Sequence, residues 1–182
     1  MGSICEFERI NNANGASYPA QDEVFSAAWQ TELNLLNQAL HAETIEETAV
    51  LARDFLTQRS NRRAGQNLPQ KLIDLERTRE WEEGIAKYTE LALSVLASAT
   101  TSYTPLETLS QDNEFKNYRD AARNWDQEVQ QIRLMAKDDG DGRFYYSGFA
   151  QAALLDRLAP GWNDQLFTEG VWLEDLLDQA IP

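Results

Sequence analysis

Apolar residues recur every three or four positions along most of this chain, which is the spacing of one face of an α-helix. The first such run predicts a helix over residues 23–41, with Asp22 as its N-cap. A second helix is predicted after Thr44, which stands three positions before Glu47 in the spacing of a capping box. This second helix is expected to end near Gly65, with Arg59, Arg62 and Arg63 interpreted as cations that suit the negative end of its dipole.

The remainder of the chain continues the helical pattern, and no segment alternates apolar and polar residues as a half-buried strand would. The expected fold class is therefore all-α, a bundle of about five main helices followed by short C-terminal helices. Residues 1–21 contain several turn formers and are expected to be irregular, whereas residues 22–182 are expected to form a single helical domain. Further helices are predicted over residues 68–99, 114–136, 143–158, 162–167 and 173–180.

Composition and charge narrow the classes of function. The chain has 182 residues and a net charge of −14, and a field of that sign disfavours binding to the phosphates of nucleic acids. No run of apolar residues is long enough for a membrane span, and the N-terminus lacks a signal-peptide pattern. Cys5 is the only cysteine, so no intrachain disulfide is expected. Localisation stays open between the cytoplasm and, for a truncated chain, an extracytoplasmic compartment.

The longest predicted helix carries two opposed stripes. Its apolar stripe predicts the buried face, and its charged stripe fits either a solvated surface, which the pattern favours, or a ladder of carboxylates that holds a hard cation. Two tryptophans near the C-terminus, Trp162 and Trp172, are interpreted as core anchors rather than as a binding platform. The charged stripe consists of Glu76, Glu80, Glu83, Lys87 and Glu90, and the apolar stripe of Trp81, Ile85, Tyr88, Ala92 and Val95.

A motif within this helix has the form Glu-Gly-x-Ala-x-Tyr, from Glu83 to Tyr88. It resembles a segment of the gluzincin zinc metallopeptidases, the aminopeptidase N-like group. In that family the Glu before the Gly is the third zinc ligand, and the Gly lets two helices approach closely because it has no side chain. The resemblance implies that Glu83 is a metal ligand and that Gly84 is a packing position.

A second match lies further along the chain, where Tyr145-Tyr146-Ser147-Gly148 is similar to the Tyr-x-Lys-Gly segment of the same family. In the family this Tyr can donate a hydrogen bond to the oxyanion of the tetrahedral intermediate. The resemblance therefore implies a catalytic role for Tyr145, although Ser147 stands where the family usually has Lys. The two matches and the helices between them span roughly residues 68–168.

The family's His-Glu-x-x-His motif, which supplies two zinc ligands and polarises the attacking water, is absent from this chain. The single histidine, His41, is interpreted as a solvated residue at a helix end. No cofactor is therefore expected in this chain, and zinc only in a complete parent protein. The resemblance implies a catalytically incomplete C-terminal half, whose partner would be the missing N-terminal part of the protein or a second copy of the chain.

Two functions stay open at this stage. The first is a part of a gluzincin-like metallopeptidase, in which Glu83 and Tyr145 are expected to face a common groove left by the missing histidine-bearing helix. The second is a non-enzymatic helical module that binds a partner or self-associates, suggested by the long amphipathic helices and the lack of a complete catalytic set.

Overall fold

The computed structural model describes residues 17–115, 118–138 and 140–181, and in these residues it contains helices and no β-strand. This confirms the predicted all-α bundle. Cys5 and most of the N-terminal segment that was expected to be irregular lie outside the described residues. The α-helices are α1 (Glu23–His41), α2 (Ile45–Gly65), α3 (Gln70–Arg79), α4 (Ile85–Ala99), α5 (Ala121–Gln131), α6 (Gly142–Leu158) and α7 (Leu173–Ala180).

The predicted starts of α1 and α2 are confirmed by their caps. The Asp22 carboxylate accepts a hydrogen bond from the backbone N–H of Phe25 at 2.7 Å. The Thr44 hydroxyl accepts one from the N–H of Glu47 at 3.1 Å, and the Glu47 carboxylate returns toward the N–H of Glu43 at 3.2 Å. The bonds from the N–H groups of Phe25 and Glu47 satisfy donors that the first turn of a helix leaves without a partner.

The predicted continuous helix over residues 68–99 is interrupted by a π-helical turn, Glu80–Gly84, between α3 and α4. A π turn holds one more residue than an α turn, so every side chain after it is rotated relative to a regular helix. The residues of the predicted charged stripe do not all face the same surface. The carboxylates of Glu76 and Glu80 are buried, which contradicts the solvated reading for these two residues, whereas Glu90 is exposed.

The fourth predicted helix, over residues 114–136, is shorter than expected. Asp112 closes a turn in which its carboxylate accepts the N–H of Glu114 at 2.8 Å, a side-chain bond that competes with helix initiation. Regular α-helix is limited to α5, and 3₁₀ segments flank it at Tyr118–Asp120 and Ile132–Lys137. The short helix predicted near residues 162–167 is likewise a 3₁₀ turn, Trp162–Gln165.

Helix α6 lies in the middle of the bundle, packed against α1, α4, α7 and the π turn. Its side chains from Ser147 to Leu155 are buried without interruption, which is the pattern of a helix enclosed on all sides. The aromatic core beside it is built by Phe25, Trp29, Phe55, Phe144 and Phe149. No helix among the described residues has the length and apolar character needed to cross a membrane.

Candidate functional site

The two glycines of the resemblance meet where the π turn crosses α6. A Cβ built on Gly84 would lie 2.6 Å from the carbonyl carbon of Gly148 and 2.9 Å from the amide nitrogen of Phe149. A Cβ built on Gly148 would lie 2.8 Å from the Cα of Gly84. These separations are shorter than any van der Waals contact, so the two backbones are in direct contact and neither position has room for a side chain.

This crossing brings together the two residues that the resemblance singles out. Interaction with the Glu83 carboxylate, followed by partial burial, raises the pKa of Tyr145 above its usual value near 10. The Glu83 side chain is 29% exposed, so its carboxylate lies at the surface of the bundle. Two residues that are far apart in sequence therefore lie close enough to interact.

Two further charges surround the pair. Nη1 of Arg79 lies 3.7 Å from Oε1 of Glu83 and 3.6 Å from Oδ2 of Asp141. The arginine thus balances part of the negative charge at this surface. Neither Glu83 nor Tyr145 lines the four cavities whose walls include, in turn, Thr78 and Trp172, Ala92 and Asp156, Tyr18 and Phe144, and Ile85 and Phe167. The groove expected between the two side chains stays a prediction.

The position of the π turn is fixed from inside the bundle by Arg59. Its guanidinium group donates to Glu80 at 2.8 Å, to Glu32 at 3.1 Å and to Glu174 at 3.0 Å. Its Nη2 also donates to the Ser147 hydroxyl at 2.9 Å. Four helices and the π turn are therefore tied to one buried cation. Where the gluzincin segment usually has a lysine, this chain has the buried Ser147. The positive charge beside Ser147 comes from Arg59 of α2.

A second layer of ion pairs surrounds the first. Arg62 donates to Glu76 at 2.6 Å, and Arg63 bonds both Glu76 and Glu174 at 2.8 Å. Arg77 completes the shell at Glu174. We call the whole set the buried charge cluster, consisting of Glu32, Arg59, Arg62, Arg63, Glu76, Arg77, Glu80 and Glu174.

Electrostatics within the buried charge cluster are balanced, because four guanidinium groups face four carboxylates. Burial alone raises the pKa of Glu76, but the charge of Arg62 and Arg63 outweighs that effect and holds the pKa below its usual value. The same competition, dominated by Arg59 and Arg63, depresses the pKa of Glu174 strongly. Both carboxylates are therefore ionised in the folded protein at neutral pH.

Sequence reasoning missed this cluster. The sequence predicts that Arg59, Arg62 and Arg63 suit the helix end, where solvated cations are common, yet Arg59 and Arg62 are almost completely buried. The spacing of Arg59 and Arg62 does indicate burial, since both continue the face of α2 that buries Ala52 and Phe55. Each guanidinium also stacks on a ring, Arg59 over Phe55 and Arg62 over Trp29, both at 4.4 Å from the ring centroid.

Within the described residues, the side chains are not arranged to hold a zinc ion at Glu83. His41 contacts the carbonyl oxygen of Asn37 at 2.7 Å and the side chain of Gln130 at 3.2 Å, and it makes no contact with Glu83. Among the described residues no group of three or more His, Cys, Asp or Glu side chains is arranged to hold a metal ion. A catalytic zinc site takes three protein ligands, of which Glu83 would be one.

Comparisons of this chain with protein-family models, with curated proteins and with solved structures found no match.

Proposed function

We propose that this chain is the helical C-terminal part of a gluzincin-like metallopeptidase. In this proposal Glu83 is one metal ligand and Tyr145 is a hydrogen-bond donor to the reacting carbonyl oxygen. The observation that carries the proposal is the backbone contact of Gly84 with Gly148, which brings Glu83 close enough to Tyr145 to raise the pKa of its hydroxyl. A pair of surface residues chosen at random, 62 positions apart, has no reason to meet.

The local structure supports the role of each residue. The raised pKa of Tyr145 keeps its hydroxyl protonated at neutral pH, as a donor to a developing oxyanion must be. The Glu83 carboxylate is partly exposed and is held by a π turn, a distortion that often occurs at functional sites. Contact between Gly84 and Gly148 fixes the separation of the two helices that carry the pair.

Catalysis requires groups that this chain does not contain. The histidines and the general base would come from a segment outside it, namely the N-terminal part of the same protein. Zinc, when bound there, would polarise the substrate carbonyl and activate water. The isolated chain is therefore expected to bind zinc weakly and to cleave no peptide. A tight one-to-one zinc site abolished by His41→Ala, measured by calorimetry, would contradict this.

The reading frame upstream of Met1 tests the proposal directly. We expect it to encode a His-Glu-x-x-His segment, and the protein that includes it should bind one zinc ion and hydrolyse peptides. Glu83→Gln should remove stoichiometric zinc, while Tyr145→Phe should retain zinc and lower kcat by about 10²- to 10³-fold, as the loss of one oxyanion donor does. Glu90→Gln, an exposed carboxylate on α4, is the matched control.

Either of two results would refute the proposal. One is an upstream sequence without the histidine motif, and the other is a Glu83→Gln protein with normal zinc content and activity.

A non-enzymatic interaction module is the second candidate, and one surface favours it. An apolar cavity of about 470 Å³ lies between α4 and α5, lined by Val95, Leu96 and Trp125 among others. Leu93 and Leu96, on the exposed side of α4, are 59% and 62% accessible. Apolar surface of this kind marks contact sites in many proteins. Concentration-dependent dimerisation in sedimentation equilibrium, lost in Leu96→Glu, would favour this candidate.

A further inference from the structure

A different cavity, of about 320 Å³, lies between the π turn and the segment that leads into α7. One wall carries Trp81 and Glu82 from the π turn. The opposite wall carries Phe167 and Trp172. Three aromatic rings and one carboxylate thus line the same space, and none of these residues belongs to the Glu83–Tyr145 pair or to the buried charge cluster.

The aromatic walls are held in place. Nε1 of Trp81 donates a hydrogen bond to the carbonyl oxygen of Leu166 at 3.1 Å. The Trp81 ring meets Phe167 edge to face, with 5.7 Å between ring centroids and an angle of 84°. Phe167 is nonetheless 82% exposed, the most exposed of the large apolar side chains in the described part of the chain. Its ring is positioned by Trp81 but is not covered, so it remains available to a ligand.

Glu82 is the unusual member of this group. Its carboxylate is half-buried, yet within the described ranges it has no hydrogen-bond or ion-pair partner. The adjoining acids differ, because Glu80 is paired with Arg59 and Glu83 with Arg79. The cavity is therefore lined by a half-buried acid that has no ion-pair partner in the described part of the chain.

We propose that this cavity binds an organic cation, an ammonium group on a short apolar stem. The faces of indole and phenyl rings attract cations, and a cluster of such rings is the usual way in which proteins recognise quaternary or alkyl ammonium groups. Glu82 supplies the opposite charge, and the apolar walls cover the stem. The shared chemistry admits two sources, a quaternary ammonium metabolite and the side chain of a lysine in a peptide. This site is independent of the proposed peptidase role.

Binding is measured with two probes and their neutral isosteres. Choline is compared with 3,3-dimethylbutanol, which has the same shape without the charge, and N-acetyl-lysine methylamide is compared with its norleucine equivalent. Titrations follow tryptophan fluorescence and the indole N–H signals of Trp81 and Trp172 by NMR. We expect at least one cation to bind more tightly than its isostere and to shift both indole signals. Preference between the two cations identifies the source.

Two variants establish where the cation binds. Phe167→Ala removes an exposed ring and Glu82→Gln removes the charge, and each is expected to weaken binding by about two- to thirtyfold, the range of one cation–π contact. Glu90→Gln on α4 is the control and should bind as the unaltered protein does. Absence of binding by both cations, equal binding of the isosteres, or unchanged affinity in both variants would overturn the proposal.

Discussion

Replacement of Gly84 by alanine tests the close crossing of the π turn and α6. The added Cβ would meet backbone atoms of Gly148 and Phe149 at 2.6 Å and 2.9 Å, and backbone atoms cannot rotate away as a flexible side chain would. Ordinary carbon contacts begin near 3.5 Å, so the two segments would have to separate by about 1 Å. That displacement would disturb the core on both sides of α6.

The expected cost follows from two opposing effects. Overpacking of a filled core destabilises by about 1–3 kcal/mol, and contact with backbone favours the upper part of that range. The higher helix propensity of alanine offsets up to about 1 kcal/mol. We expect a net loss of about 2 kcal/mol, equivalent to a fall in Tm of roughly 4–8 °C for a chain of this size.

The matched control is Gly65→Ala. Gly65 also ends a helical segment, but a Cβ there has no neighbour within 4 Å. Alanine should stabilise this position by about 0.5–1 kcal/mol through helix propensity. Urea unfolding, followed by circular dichroism, gives both values. If Gly84→Ala proved as stable as Gly65→Ala, the inference that these backbones touch would be wrong.

Three further predictions concern the charged groups. Arg59→Met leaves the buried Glu80 carboxylate without its cation and removes one partner from Glu32 and Glu174, and it should cost about 3–5 kcal/mol in urea unfolding. Arg123→Met, at a 66% exposed side chain, should change stability by less than about 1 kcal/mol. Glu83→Gln should lower the pKa of Tyr145 toward about 10, as measured by phenolate absorbance, and an unchanged pKa would show that the two side chains do not interact. Because the pKa of Glu174 is depressed in the folded state, its contribution to stability is present above about pH 4.3 and is lost as the pH falls further. The Glu174→Gln variant should therefore be less stable than the unaltered protein at neutral pH. It should also lose less stability on acidification, as measured by urea unfolding at each pH.

Much of the architecture follows from local chemistry in the sequence. The caps at Asp22 and Thr44 are decided by side chains within three residues, and the helices they start, α1 and α2, begin where the sequence predicted. The π turn was not predictable from periodicity, because its extra residue is stabilised by packing against α6, a helix distant in sequence. The interrupted fourth helix depended on a competing turn at Asp112.

For the candidate site, too, only part of the structure could be predicted from the sequence. The resemblance selected Glu83 and Tyr145, and the structure places them near each other because their segments cross at Gly84 and Gly148. The burial of Arg59 could not be read from α2, since an arginine is buried only when carboxylates from other helices surround it. Three separate elements supply those carboxylates, and no local sequence pattern indicates that they will meet.

The buried charge cluster also bears on how the bundle opens. Helix α7 has only eight residues, so by length alone it would fray readily. Glu174 in its first turn, however, is bonded to Arg59, Arg63 and Arg77, and detachment of α7 would leave these cations unpaired. Release of α7 is therefore coupled to disruption of α2 and α3. Amide hydrogens of α7 that are bonded within the helix should exchange about as slowly as those of the central helices, as in a single cooperative unit.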